Sequence, residues 1–118
     1  MLYCGTHTKW DYANCEVLLA QIAIQEGRYD DADRHSETSY IFNSQDKNII
    51  GQASAIYTNA DANRRSGNME KAKESYETAL QLNEIMENEK MIRRVQRCLA
   101  EIETDDDQVS LSTNEEEG

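Results

Sequence analysis

The sequence predicts an all-α fold, and three observations carry that prediction. Its 118 residues include no proline and only five glycines, while Ala, Glu, Gln, Leu and Lys are plentiful and favour helix over strand. Apolar residues recur three and four apart through most of the chain, which is the spacing of one helical face. The same punctuation also appears twice, in "EGRYDDA" at Glu26–Ala32 and "SGNMEKA" at Ser66–Ala72, with glycines and alanines coinciding after a shift of 40 residues.

Each element follows from local signals. From Tyr12 to Ile24, Ala13, Val17, Ala20 and Ile24 share one face and Leu19, Ile22 and Ala23 an adjoining one, so this first helix wants neighbours on two sides. Gly27 ends it, because glycine tolerates the positive φ of a helix stop. A second helix opens near Tyr29 with Asp30 and Asp31 at its positive end and carries Ala32, Ser36, Ser39 and Tyr40 on one side. "SQDKN" at Ser44–Asn48 has turn chemistry. Ile49, Ile50, Ala53, Ile56, Tyr57 and Ala60 then mark a third helix, which Gly67 stops. Asn68 caps a fourth, whose stripe is Met69, Ala72, Tyr76, Ala79, Leu80 and Asn83. No glycine marks its end, and the 40-residue register places a turn between Ile85 and Asn88. A fifth helix runs over Glu89–Glu103 with Ile92, Val95, Leu99 and Ile102 on one side.

Charge divides the chain. The net charge is −11, which opposes attachment to nucleic acid or an anionic membrane. Glu101–Gly118 holds eight acids and no base. After about Thr104 too little apolar surface remains to offset ordering entropy. The expected organisation is a helical repeat domain over 1–104 and an acidic disordered tail over 105–118. The most apolar stretch, Val17–Ile24, is eight residues long, far short of the roughly 20 a membrane span needs. Cys4, Cys15 and Cys98 cannot all pair within one chain and follow no apolar leader, so the expectation is free thiols in the cytoplasm.

Laying residues 13–52 over 53–92 aligns Ala20 with Ala60, and a further step reaches Ala100; Gly27 falls on Gly67 and Ala32 on Ala72. Small residues at these stations let paired helices approach closely. This spacing resembles the tetratricopeptide repeat, whose pattern is a large residue, then Leu and a small residue, a glycine-bounded turn, and Ala-x3-aromatic then Ala. Ile56, Ala60, Gly67, Ala72, Tyr76 and Ala79 carry the resemblance in the second repeat, and Leu19, Ala20, Gly27, Tyr29 and Ala32 in the first. The first departs from the pattern: Glu16 stands at the large position, and Ser36 and Ser39 replace the aromatic and the alanine. In the second, Asn59 replaces the leucine, and neither repeat has the closing proline. The period exceeds the usual repeat of about 34, as in a longer-helix variety of the family.

The resemblance implies a short stack of about five antiparallel helices and a noncatalytic scaffold that receives a peptide or helix of a partner protein in a concave groove. Carried over residue by residue, the groove would draw on Asn14, Val17, Gln21 and Gln25 of the first helix, Tyr57, Asp61, Arg64 and Arg65 of the third, and Arg94 and Arg97 of the fifth. Arginine forks suit carboxylates, so an acidic peptide is the expected partner, with the acidic tail a candidate to occlude the groove. The plainer reading is that these arginines pair locally with Asp61, Glu101 and Glu103. Chaperone-tail recognition is not implied, because Val17, Gln21, Thr58 and Cys98 stand where that clamp needs other residues. The alternative function is an oligomerising bundle using exposed apolar faces of the end helices, including Val17, Leu18 and Ile24. Five helices make two repeats and a half, short of the roughly three that such stacks need, so the expectation is a homo-oligomer, a short homologue or a fragment of a longer array.

No nucleophile–base pair, phosphate loop or zinc-protease motif occurs, so the chain reads as no enzyme and as needing no cofactor. His35, among "DADRHSET", reads as a surface histidine rather than a base. Cys4, His7 and Cys15 form the best metal candidate, but paired CxxC knuckles are absent and no metal is expected.

Overall fold

In the computed structural model, the backbone is described for residues 9–117 and side chains for residues 13–103. Five helices follow one another: α1 (Lys9–Gln25), α2 (Tyr29–Gln45), α3 (Ile49–Ser66), α4 (Met69–Ile85) and α5 (Glu89–Glu117). Each packs on the next, and α1 also touches α3. The result is an all-α stack of antiparallel hairpins. The helical backbone of α5 passes Thr104, where the composition predicts an end to ordered structure, and continues to Glu117.

One turn is used four times, at 20-residue intervals. Gly27, Lys47, Gly67 and Glu87 take positive φ of 78°, 57°, 93° and 57°. The next residue's N–H closes each turn onto a carbonyl five positions back, from Arg28 to Ala23, Asn48 to Asn43, Asn68 to Asn63 and Asn88 to Asn83. This is the Schellman arrangement, which satisfies carbonyls that a helix end leaves without partners. Asn48, Asn68 and Asn88 then cap the helix that follows, their Oδ1 accepting from the N–H of Gly51, Lys71 and Met91. Lys47 and Glu87 do the work of the two glycines, so the turns after α2 and α4 carry no glycine in the sequence.

The core is built mainly of small side chains. Ten of the fourteen buried apolar residues are alanine, which brings helix backbones close but supplies little apolar area per residue. Ala20, Ala23, Ala32 and Ala62 form one cluster, with Ile24 packed against it. Ala60, Ala72, Tyr76, Ala79, Val95 and Ile102 form a second, backed by Ile56, Tyr57 and Leu99. Tyr76 is 1% exposed and meets Tyr57 edge to face, ring centres 5.7 Å apart. Ala20 and Ala60 are fully buried, but their counterpart Ala100 is exposed. The matched station is therefore not an equivalent environment: among the described residues α5 packs mainly on α4, with side chains of α3 reaching Cys98 and Glu101, and Ala100 is left exposed.

The departures from the family pattern are joined by hydrogen bonds. Glu16, at the large position, meets His35 of α2, Oε2 to Nδ1 at 2.6 Å. His35 is thus a half-buried bridge between α1 and α2 rather than a surface histidine. The Ser39 hydroxyl donates to the Ala13 carbonyl at 2.8 Å. Asn59 donates to the Ser36 hydroxyl at 3.0 Å and to Asp33 Oδ1 at 2.8 Å, while its own Oδ1 accepts from Ser75. Asn63 and Lys71 add further bonds to the same Asp33 oxygen, each at 2.9 Å. Burial pushes the Asp33 carboxyl up, but the bonds from Lys71, Asn63 and Asn59 outweigh it and hold its pKa below the ordinary value.

Cysteine chemistry also differs from expectation. Cys98 is free, but Cys15 is disulfide-bonded, so the argument from free thiols to a reducing compartment holds for Cys98 alone.

Candidate functional site

The register of α1, α3 and α5 leaves a cleft of about 570 Å³ on one side of the stack. Ile50, Ala53, Ser54 and Tyr57 of α3 form its floor, Gln21 of α1 stands on one side, and Met91 and Arg94 of α5 stand on the other. Met86 and Asn88 close its end from the α4–α5 turn. The helix period explains this set, because residues i, i+3, i+4 and i+7 of α3 share a face. That face alternates between a buried alanine and side chains left for a visitor: Ile50 is 73% exposed.

Of the residues expected to line a groove, Gln21, Tyr57 and Arg94 share this cleft. Asn14 is exposed and Val17 half-buried on the preceding turns of α1. Arg97 lines an adjoining cleft with Lys90, Arg93 and Arg94. Arg65 lies elsewhere, with Arg28 and Tyr29 beside the α1–α2 turn, and is held by Asp61 at 3.2 Å. Arg64 reaches across to Glu101 of α5, also at 3.2 Å. Local pairing thus accounts for Arg64, Arg65 and Asp61. Sequence reasoning missed Ile50, Ser54, Met86 and Met91, although the i, i+3, i+4, i+7 spacing through Tyr57 gives the first two.

Tyr57 links the cleft to the core. Its hydroxyl lies 3.9 Å from Cys98 Sγ. Burial, then the neighbouring Cys98, raises its pKa, and the positive charge of Arg94 acts the other way. The phenol is therefore neutral at physiological pH and can donate or accept a hydrogen bond toward the cleft. No set of three or more His, Cys, Asp or Glu side chains among the described residues could hold a metal ion; Cys4 and His7 lie outside the described residues.

A family model for the tetratricopeptide repeat matches residues 53–85, which is α3 from Ala53 together with the whole of α4. That segment has the sequence of a tetratricopeptide repeat. No curated protein and no solved structure matches the chain. Tetratricopeptide repeats generally mediate protein–protein interaction and are typically noncatalytic. In this one the alanine, tyrosine and alanine of α4 at Ala72, Tyr76 and Ala79 are all buried. Its helix α3 presents the cleft floor on the opposite side. No helix among the described residues is long and apolar enough to cross a membrane.

Proposed function

We propose that the chain is a noncatalytic interaction scaffold that receives a peptide or helix of a partner protein in the cleft between α1, α3 and α5. The observation that carries this reading is the cleft itself, a concave strip of about 570 Å³ with an apolar floor and the polar groups Gln21, Thr58 and Arg94 among its lining residues. Binding sites for extended or helical segments have this composition: apolar surface supplies affinity and a few placed polar groups supply orientation. The division into a repeat domain over 1–104 and an acidic tail over 105–118 belongs to the same proposal; limited proteolysis tests it, with preferred cleavage after about residue 104 as the expected outcome. A cytoplasmic setting is part of the proposal and rests on the free thiol of Cys98; recovery of the intact protein from cells with Cys15 oxidised would overturn it.

Site-specific photo-crosslinking tests the groove. A crosslinking residue at Ser54, on the cleft floor, should capture a partner in lysate, and one at Glu77, exposed on α4, should not. Equal capture at both positions rejects the groove.

A second reading has its own observation. Leu18, Leu19 and Ile22 of α1 are 43%, 38% and 46% exposed, at stations where α3 buries Thr58, Asn59 and Ala62. An oligomer joined through α1 would cover them. Light scattering on Leu18→Glu and Ile22→Glu separates the two readings: a drop in mass supports the oligomer, and an unchanged monomer leaves the groove.

A further inference from the structure

Four stations of α3 recur on α5 at a spacing of 40 residues, with a change of chemistry. On α3 they are Ile50, Ala53, Ser54 and Tyr57, and all four line the cleft. On α5 they are Lys90, Arg93, Arg94 and Arg97, and all four line the adjoining cleft of about 480 Å³. Arg94 borders both clefts. The groove therefore runs from an apolar step to a basic one along a single continuous register.

Among the described residues, no carboxylate forms an ion pair with the four cations of the basic step. Arg28, Arg34, Arg64, Arg65 and Lys71 are each held by carboxylates, but no ion pair among the described residues engages Lys90, Arg93, Arg94 or Arg97. Glu101, one helical turn beyond Arg97, bonds to Arg64 instead. Glu89 is the one acid among the residues lining that cleft. Like charges three and four apart on one helical face repel modestly, so an anion bound across these four, which form no ion pair among the described residues, is favoured. Guanidinium groups meet carboxylates in two parallel hydrogen bonds, which fixes direction as well as sign.

Resting on the groove reading above, we infer that the occupant is an acidic segment of a partner protein in a fixed orientation, with a large apolar side chain seated over Ile50 and Tyr57 of α3 and a run of Asp or Glu lying over Arg93, Arg94 and Arg97 of α5. The apolar step supplies affinity. The basic step sets the direction in which the segment lies and rejects neutral or basic segments.

The test is selection of random 12-residue displayed peptides on the full-length chain, repeated on the Arg93→Gln, Arg94→Gln, Arg97→Gln triple variant and on Ser54→Trp, which fills the cleft floor. All four positions are exposed on helices, and circular dichroism verifies that each variant folds. Wild type should enrich peptides with one large apolar residue followed or preceded, always in the same order, by two or more acids. The triple variant should lose the acidic enrichment and bind the wild-type peptides about tenfold more weakly, with the difference shrinking as salt rises. Ser54→Trp should lose binding altogether. If wild type enriches nothing, or Ser54→Trp binds the selected peptides unchanged, the groove reading fails. If Ser54→Trp abolishes binding but the selected peptides carry no acidic excess, no fixed order, or bind the triple variant within twofold, the groove stands and this inference is overturned.

Discussion

Asn59 and Tyr76 stand near the middles of neighbouring helices, 2% and 1% exposed, yet opposite chemistry holds them. Tyr76 sits among Ala60, Ala79, Val95 and Ile102, an apolar cluster joining α3, α4 and α5. Asn59 sits where α2 meets α3, hydrogen-bonded to Asp33, Ser36 and Ser75. The second hairpin is thus held mainly by apolar area, which is tolerant of small shifts. The α2–α3 junction is held by directed bonds, each needing its partner in place. No buried side-chain polar atom among the described residues lacks a hydrogen-bond partner, so the polar junction is complete, and a complete network specifies one register between hairpins. The lesson is that Asn59 and Ser36 are a matched pair. The large apolar residue missing from one side of the interface is answered by a hydroxyl on the other.

The largest expected effect breaks the apolar side. Tyr76→Ala should destabilise the chain by about 3–5 kcal/mol, read as a lower urea midpoint, and a loss below about 1 kcal/mol would show that the cluster is not the principal core. Next comes the polar side. Asn59→Leu restores the family residue, but it should still cost about 1–3 kcal/mol, because Ser75 and Asp33 lose a buried partner; a neutral or stabilising result would mean that the network only fills space.

The Asp33 carboxylate sharpens the comparison through pH. Its folded pKa is depressed, so its contribution is fully present above the unfolded carboxylate pKa of about 3.9 and is lost as pH falls through the lower folded value. Denaturation of wild type and Asp33→Asn should therefore differ at neutral pH and converge in acid. A difference that persists unchanged below about pH 3 would assign the effect to packing rather than charge.

A smaller effect separates the turns. Lys47 and Glu87 hold φ of 57°, a region costing a side chain roughly 1 kcal/mol. Lys47→Gly should stabilise the chain by about 0.5–1 kcal/mol, whereas Gly27→Ala, at φ 78°, should destabilise it by a similar amount; thermal melts of the pair check both signs. The smallest is chemical: without reductant, an alkylating reagent should label Cys98 and leave Cys15 unlabelled, as mass spectrometry of the peptides would show.

The bounds of α2, α3 and α4 were legible in the sequence because they depend on neighbours in the chain. Apolar spacing, Asn68 and the glycines act within one or two turns. Even the glycine-free turn after α4 follows from the register, and a finer signal marks every turn but the first: Asn43, Asn63 and Asn83, then Asn48, Asn68 and Asn88, recur every 20 residues. The candidate site was legible only in part. The register brought out Gln21, Tyr57 and Arg94, which share the cleft, but not which arginines are already engaged, since Arg64 finds its partner 37 residues away.

The sequence by itself determined that this chain is a series of helices of nearly equal length, separated by tight turns and compatible with stacking. Tertiary structure alone decided that Asn59 answers Asp33 and Ser36, that Glu16 answers His35, that Ala100 lies open where Ala20 and Ala60 are buried, and that no ion pair among the described residues engages the basic stations of α5. The physical reason is range. Backbone periodicity and helix stops are settled by residues a few positions apart, whereas the burial of a side chain and the neutralisation of a charge depend on whatever another helix brings to within about 3 Å of it.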